Sequence, residues 1–190
     1  MGAVSMERGK EVVAATRRWL ERAVLGLDLC PFAKAVYADD LIRYAVSSAE
    51  TPEALLADLV DELQALASAP TTETETTLVI HPLVFDDFLE YNDFLGVAEE
   101  AVADLGLEGI LQVASFHPRY QFAGTEPDAI ENYTNRSPYP MLHLLREASV
   151  ERAVEAFPDA TQIYEKNIAT LRLLGHDGWR RLGVGPEPSE

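Results

Sequence analysis

His81 and His117 are each followed at once by proline, and each closes an apolar, β-branched run, TTLVI and ILQVASF. Two strands ending this way place their imidazoles at the strands' carboxyl ends, where ligands collect in parallel sheets. If the strands run parallel and close together, both rings leave the sheet on one edge. A neutral imidazole pair there can ligate a metal or share acid–base work. The pair has a structural reading too: proline fixes the exit of the strand and the imidazole caps a carbonyl.

His143 lies in SPYPMLHLLRE. Ser137-Pro138 reads as a cap and first residue of a helix running to about Glu147. On that predicted helix Arg146 and Glu147 share a face with His143, and Glu147 can steady its ring. His81, His117 and His143 then form a candidate metal set, with zinc or iron as the candidate ions. In a hydrolytic version a metal-bound water is the nucleophile. The structural alternative is a helix histidine packed against the preceding loop. Cys30 stands in LCPF, beside a predicted helix start at Pro31, where the helix dipole favours a thiolate. Its apolar neighbours equally suit a small buried core residue. Cys30, His117 and His143 are the candidate catalytic residues.

Between the second His-Pro step and Met141 runs RYQFAGTEPDAIENYTNRSPYP. A loop of this length inside one domain is often functional. Arg119, Asn132, Arg136 and Tyr139 are its candidate substrate-binding residues, because the guanidinium fork suits carboxylate or phosphate. The partner expected is a small anionic molecule. The competing reading pairs these arginines with local acids. Two functions stay open: a metal- or thiol-dependent enzyme, or a non-catalytic domain that binds a small anion or a protein. There is no glycine-rich phosphate loop, no HExxH, no GxSxG and no CxxC.

These residues need a scaffold, and hydrophobic periodicity supplies one. Helices are expected over about Lys10–Leu25 and Pro31–Val36, then from Thr51-Pro52 to before Pro70, and over Phe85–Leu105. Strands are expected at Leu41–Val46, Thr76–Ile80 and Ile110–Phe116. Ser149 is read as the cap of a short helix, Val150–Phe157. Asp159 and Gln162 read as a capping box for a last helix that stops at Gly175. The alternation predicts an α/β fold: a three- or four-stranded, mainly parallel sheet with crossover helices and extra C-terminal helices. An α+β sheet of ferredoxin-like type is the alternative. One domain over 8–182 and a disordered tail over 183–190 are expected.

The formal net charge is -17 over 190 residues, and it is unevenly placed. From Ala45 to Pro118 there are 15 acids and neither Lys nor Arg. That stretch argues against a nucleic-acid binder and against docking to an anionic membrane. No apolar run approaches the roughly 20 residues of a membrane span, and a cytoplasmic location is expected. The single cysteine excludes an intramolecular disulfide and an all-cysteine metal site in one chain. Nothing in the sequence sets an oligomeric state.

LCPFAK at 29–34, FHPRYQFAG at 116–124 and NRSPYPMLHLLRE at 135–147 resemble the motifs of a bacterial domain-of-unknown-function family. The resemblance runs from about Lys10 to Trp179. It implies a bacterial cytoplasmic protein and places Cys30, His117, Arg136 and His143 in the family's characteristic segments. It implies no activity, substrate or cofactor.

Overall fold

The computed structural model describes residues 6–156 and 160–185. Its four strands are β1 (Ile42–Val46), β2 (Thr76–Ile80), β3 (Leu111–Phe116) and β4 (Met141–Arg146), in the order β1-β2-β4-β3. β1 and β2 are parallel, with Ile42 opposite Thr76. β4 is antiparallel to both its neighbours, and its Met141 faces Ile80 on one side and Phe116 on the other. The fold is mixed α/β, and the expected mainly parallel sheet does not form. β2 and β3 do run parallel to each other, but β4 lies between them. The core order of strand, helix, strand, helix, strand, strand also differs from the ferredoxin-like alternative.

The difference has a local cause. Ser137-Pro138 predicts a helix that would include residues 141–146, which form β4 instead. Pro140 would fall inside that helix, without an N–H and with its ring against the preceding turn. It also biases Tyr139 toward extended backbone. The segment therefore leaves Pro140 as a strand.

Helices α3 (Pro52–Ser68) and α4 (Phe88–Asp104) cover one face of the sheet. Thr51 caps α3, its hydroxyl accepting the Ala54 N–H at 3.3 Å. Asp87 caps α4 through the Leu89 and Glu90 N–H groups, so that helix starts three residues later than expected. Leu55, Leu59, Leu63 and Leu66 form a stripe at helical spacing and pack with Val79, Leu111, Leu142 and Leu144. Full burial of each leucine contributes about 1.5–3 kcal/mol. On α4 the buried positions are Tyr91, Phe94, Ala98, Ala101 and Val102, whereas Leu89 faces solvent.

The opposite face is covered by α1 (Met6–Trp19), its wider-wound continuation Leu20–Leu25, and α6 (Ala160–Leu182). Gly26 follows the wide turns because a Cβ there would sit 2.4 Å from the Arg22 carbonyl oxygen. Val12, Trp19, Leu20 and Ala23 meet Leu78, Ile80 and Met141 from the sheet and Leu171, Trp179 and Val184 from the C-terminal end. Arg22 donates to the Leu182 carbonyl at 2.9 Å, tying the first helix to the last. Gly175 breaks α6 at φ 63°, ψ 173°, after which helix resumes. Val184, expected in the tail, is buried, and 186–190 lie outside the described residues. Two short helices, α2 (Ala33–Ala38) and α5 (Glu147–Ala156), complete the chain. Ser149 lies inside α5, where its hydroxyl meets Glu75 and does not cap. Phe157 and the Asp159 cap lie outside the described residues.

Arg146 closes β4 by donating from Nη2 to the carbonyls of Leu66, Ala69 and Thr74 at 2.8, 2.7 and 3.1 Å. A guanidinium suits these carbonyls because they lie at and beyond the negative C-terminal end of α3. Arg146→Met is expected to lower stability by about 1–3 kcal/mol, since charged hydrogen bonds are lost and partly buried carbonyls are left unpaired. Urea denaturation should show a lower midpoint with an unchanged slope.

Candidate functional site

His81 and His117 do emerge on the same edge of the sheet, separated by the start of β4. Both are buried, at 0% and 1% exposure. Tyr91 of α4 contacts both rings, with centroids 5.7 Å from His81 and 5.1 Å from His117. Its hydroxyl donates to the Met141 carbonyl at 2.8 Å and accepts the Phe116 N–H at 3.2 Å. That hydroxyl thus bridges β3 and β4 where they separate. Burial raises the Tyr91 pKa well above its ordinary value, so it stays a donor.

The two imidazoles hold the segment that leads into α4. His81 Nδ1 lies 3.1 Å from the Val84 carbonyl, and His117 Nε2 lies 3.0 Å from the Phe85 carbonyl. A carbonyl only accepts, so both nitrogens carry hydrogen. His117 Nδ1 accepts the Arg119 N–H at 2.9 Å, so both of its nitrogens are used. His81 Nε2 is a buried lone pair without a partner among the described residues. Burial lowers the His81 pKa to about 4, and His117 nearby adds to the effect. Burial also lowers that of His117. Phe85, between the two captured carbonyls, has φ 62°, a conformation costly for a bulky side chain.

The long loop folds on itself. Asn132 is fully buried, and its amide is spent on the loop. Oδ1 accepts from Phe122 N–H and the Thr125 hydroxyl, and Nδ2 donates to the Glu126 and Pro127 carbonyls. Arg136 donates to the Tyr120 and Pro127 carbonyls and lies over the Tyr133 ring at 4.2 Å. Its own carbonyl accepts the Trp19 indole N–H at 2.9 Å. Arg119 is exposed and pairs with the Asp86 carboxylate at 2.9 Å. Tyr139 packs against the apolar cluster of the α1 face. Asn132 is thus an organiser of the loop, and Arg119 takes the local ion pair that was its competing reading.

His143 is on a strand, facing away from His81 and His117. It stands opposite Leu78 and Ala114, on the α1 face, whereas Tyr91 and its two histidines pack on the α4 face. The expected helical neighbours Arg146 and Glu147 do not reach it. His143 Nε2 instead lies 2.7 Å from the Thr76 hydroxyl, which donates to the Leu144 carbonyl at 2.6 Å. Thr76 has one hydrogen and spends it on that carbonyl, so His143 Nε2 is the donor. The proton sits on Nε2, and Nδ1 is a lone pair with no hydrogen-bond partner among the described residues. Burial lowers this pKa to about 4, and the residue as a whole is half-buried. Gln112 on the same face is exposed, Ala114 is partly so, and Phe116 lies 6.0 Å from the imidazole. Cys30 is partly exposed and packs at the margin of the cluster on this face.

The three histidines therefore do not fit a zinc or iron site. They are divided by the sheet, and His117 has no free nitrogen. Among the described residues no three His, Cys, Asp or Glu side chains group to hold a metal ion. Two partners escaped the sequence reading. Tyr91 had a signal, since its three-residue spacing from Phe88 and Phe94 marks a core face and a buried tyrosine needs an acceptor. Thr76 had none.

Neutral buried histidines make the fold acid-sensitive. In the unfolded chain they titrate near 6.5, whereas folded His81 and His143 titrate near 4. Their contribution is complete above about pH 6.5, falls as pH drops toward 4, and changes little below that. Each should contribute roughly 3 kcal/mol to that loss. Urea midpoints measured from pH 7.5 to 4 should fall across this window, and a flat profile would refute the assignment.

Among the described residues no helix is long and apolar enough to cross a membrane. No curated protein and no solved structure gives a significant match. A family model described as protein of unknown function (DUF1415) matches residues 11–181. That match takes in both His-Pro steps, the long loop and β4, and the chain belongs to the DUF1415 family.

Proposed function

We propose that this protein is an enzyme of acid–base type acting on a small anionic molecule, with His143 as its base and no metal assigned to its histidines. One observation carries the reading: a histidine whose proton is fixed on Nε2 presents a bare Nδ1 on an incompletely covered sheet face. A general base needs a fixed tautomer, an open lone pair and a neutral ring, and it is strongest when its pKa lies near the working pH. Thr76 supplies the first and the margin near Gln112 and Ala114 the second; burial supplies the third but makes His143 a weak base until a bound ligand changes its surroundings. Phe116 beside the ring supplies an apolar wall, which suits a ligand with an aromatic or aliphatic body. Arg136 supports the anionic character, because among the described residues no carboxylate pairs with it.

A thiol version has its own support, since Cys30 is partly exposed and borders the apolar cluster that includes Phe116. Nitrogen-15 spectra read both versions. 4-Hydroxybenzoate and 4-hydroxyphenyl phosphate are the probes, each anionic and with a hydroxyl that can donate to Nδ1, and one of them should shift the His143 Nδ1 resonance. His143→Gln should weaken that binding about tenfold or more, the loss of one buried hydrogen bond. Turnover of 4-nitrophenyl acetate or 4-nitrophenyl phosphate that vanishes in His143→Gln marks an enzyme, and added loss in Cys30→Ser marks the thiol version. Binding without turnover marks a binding domain. If neither probe moves Nδ1, the site assignment fails.

A further inference from the structure

The segment from Pro82 to Asp87 is fastened at three successive carbonyls. His81 holds Val84, His117 holds Phe85, and the Arg119 guanidinium holds Asp86. Each fastener comes from outside the segment, from the ends of β2 and β3. Under it lie the rings of Tyr91 and Phe88, which with Phe85 and the two histidines form one aromatic stack. At its centre Phe85 is held at φ 62°, so the closed form carries backbone strain that opening would relieve.

We propose that residues 82–87 form a pH-released strap, closed while His117 is neutral and freed when it takes a proton.

The geometry gives the reason. Neutral His117 uses Nε2 as a donor to Phe85 and Nδ1 as an acceptor from the Arg119 N–H. A second proton must go to Nδ1, where it would face that N–H across a contact of 2.9 Å. The contact turns from attractive to repulsive, and His117 must rotate away or leave. Rotation breaks the bond to Phe85, and the strained segment is freed.

Charges around the pair set where this happens. Arg119 opposes protonation of His117, and Asp86 and Asp87 of the strap favour it. From α4 the facing titratable group is Tyr91, which stays neutral. β4 and its approach present the carbonyls of Met141 and Pro140, held by Tyr91 and by the His81 backbone. His81 is a second brake, because a proton on its unpartnered Nε2 would be a sealed charge without an acceptor. Opening exposes the aromatic cluster beneath the strap.

Amide hydrogen exchange on the intact protein tests this, corrected for intrinsic pH dependence. The Arg119 N–H, which donates to His117, should lose roughly tenfold in protection for each pH unit below the His117 midpoint. The amides of α3 and of the β2–β4 ladder exchange by global unfolding; they should stay better protected than Arg119 and follow the urea-derived stability. In His117→Gln, the side-chain amide can serve both Phe85 and Arg119 without ever charging, and the Arg119 N–H should keep its protection down to the limit set by global unfolding. An unchanged pH dependence in that variant would overturn the proposal. So would Arg119 protection that falls only in step with that of α3. Should His117→Gln fail to fold, the wild-type protein decides: the nitrogen-15 titration midpoint of His117 must coincide with the opening midpoint, and separate midpoints refute the switch.

Discussion

β2 and β3 run parallel with one strand's width between them, and β4 fills that width from the opposite direction. The remaining arrangement depends on this insertion. It sets the two His-Pro exits on one edge yet a strand apart. It turns His143 onto the other face of the sheet. It also leaves a gap in the hydrogen-bond ladder where β3 and β4 part. The Tyr91 hydroxyl closes that gap, and the same ring fills the space between the two histidines. One side chain of α4 thus satisfies two strand ends and supports both exits.

The polar groups follow a common rule. Burial without a counter-charge favours the neutral imidazole, and each buried ring is then oriented by what its nitrogens meet. Carbonyls fix the hydrogens on His81 and His117, and a threonine fixes that on His143. Charge is partitioned on a larger scale. The stretch without Lys or Arg forms α3, β2, α4 and β3, and its two helices lie on one face. Several bases from outside reach its border: Arg43 pairs with Glu62, Arg152 with Glu75 and Arg119 with Asp86. Such exposed pairs contribute little to stability. The acid excess of that layer is left facing water.

Much of the scaffold was legible because it rests on local signals. Thr51-Pro52 started α3 as expected, β2 spans the expected residues, and Gly175 interrupts the last helix. The sheet order was not legible, since strand neighbours are chosen by long-range packing that periodicity does not encode. Residues 141–146 show how much turns on one assignment. Read as a helix, they gave His143 a carboxylate partner and let it join the other histidines. As a strand, they send it to Thr76. The His-Pro echo gave the shared edge correctly but not the role of the rings. Asn132 and Arg136 stood out as polar residues in a long loop, and much of what they do is hold that loop together.

The two faces of the sheet also differ in when they can be completed. The α4-side core draws on residues from Ala49 to Leu144, a contiguous stretch of chain. The α1-side core joins Val12 and Trp19 to Leu171, Trp179 and Val184, and Arg22 reaches the Leu182 carbonyl. During synthesis the first helix can meet the sheet only once β2 and β4 have emerged, and its contacts with Leu171, Trp179 and Val184 form later still. The acidic, leucine-striped layer can close first, and the α1 face is completed after it.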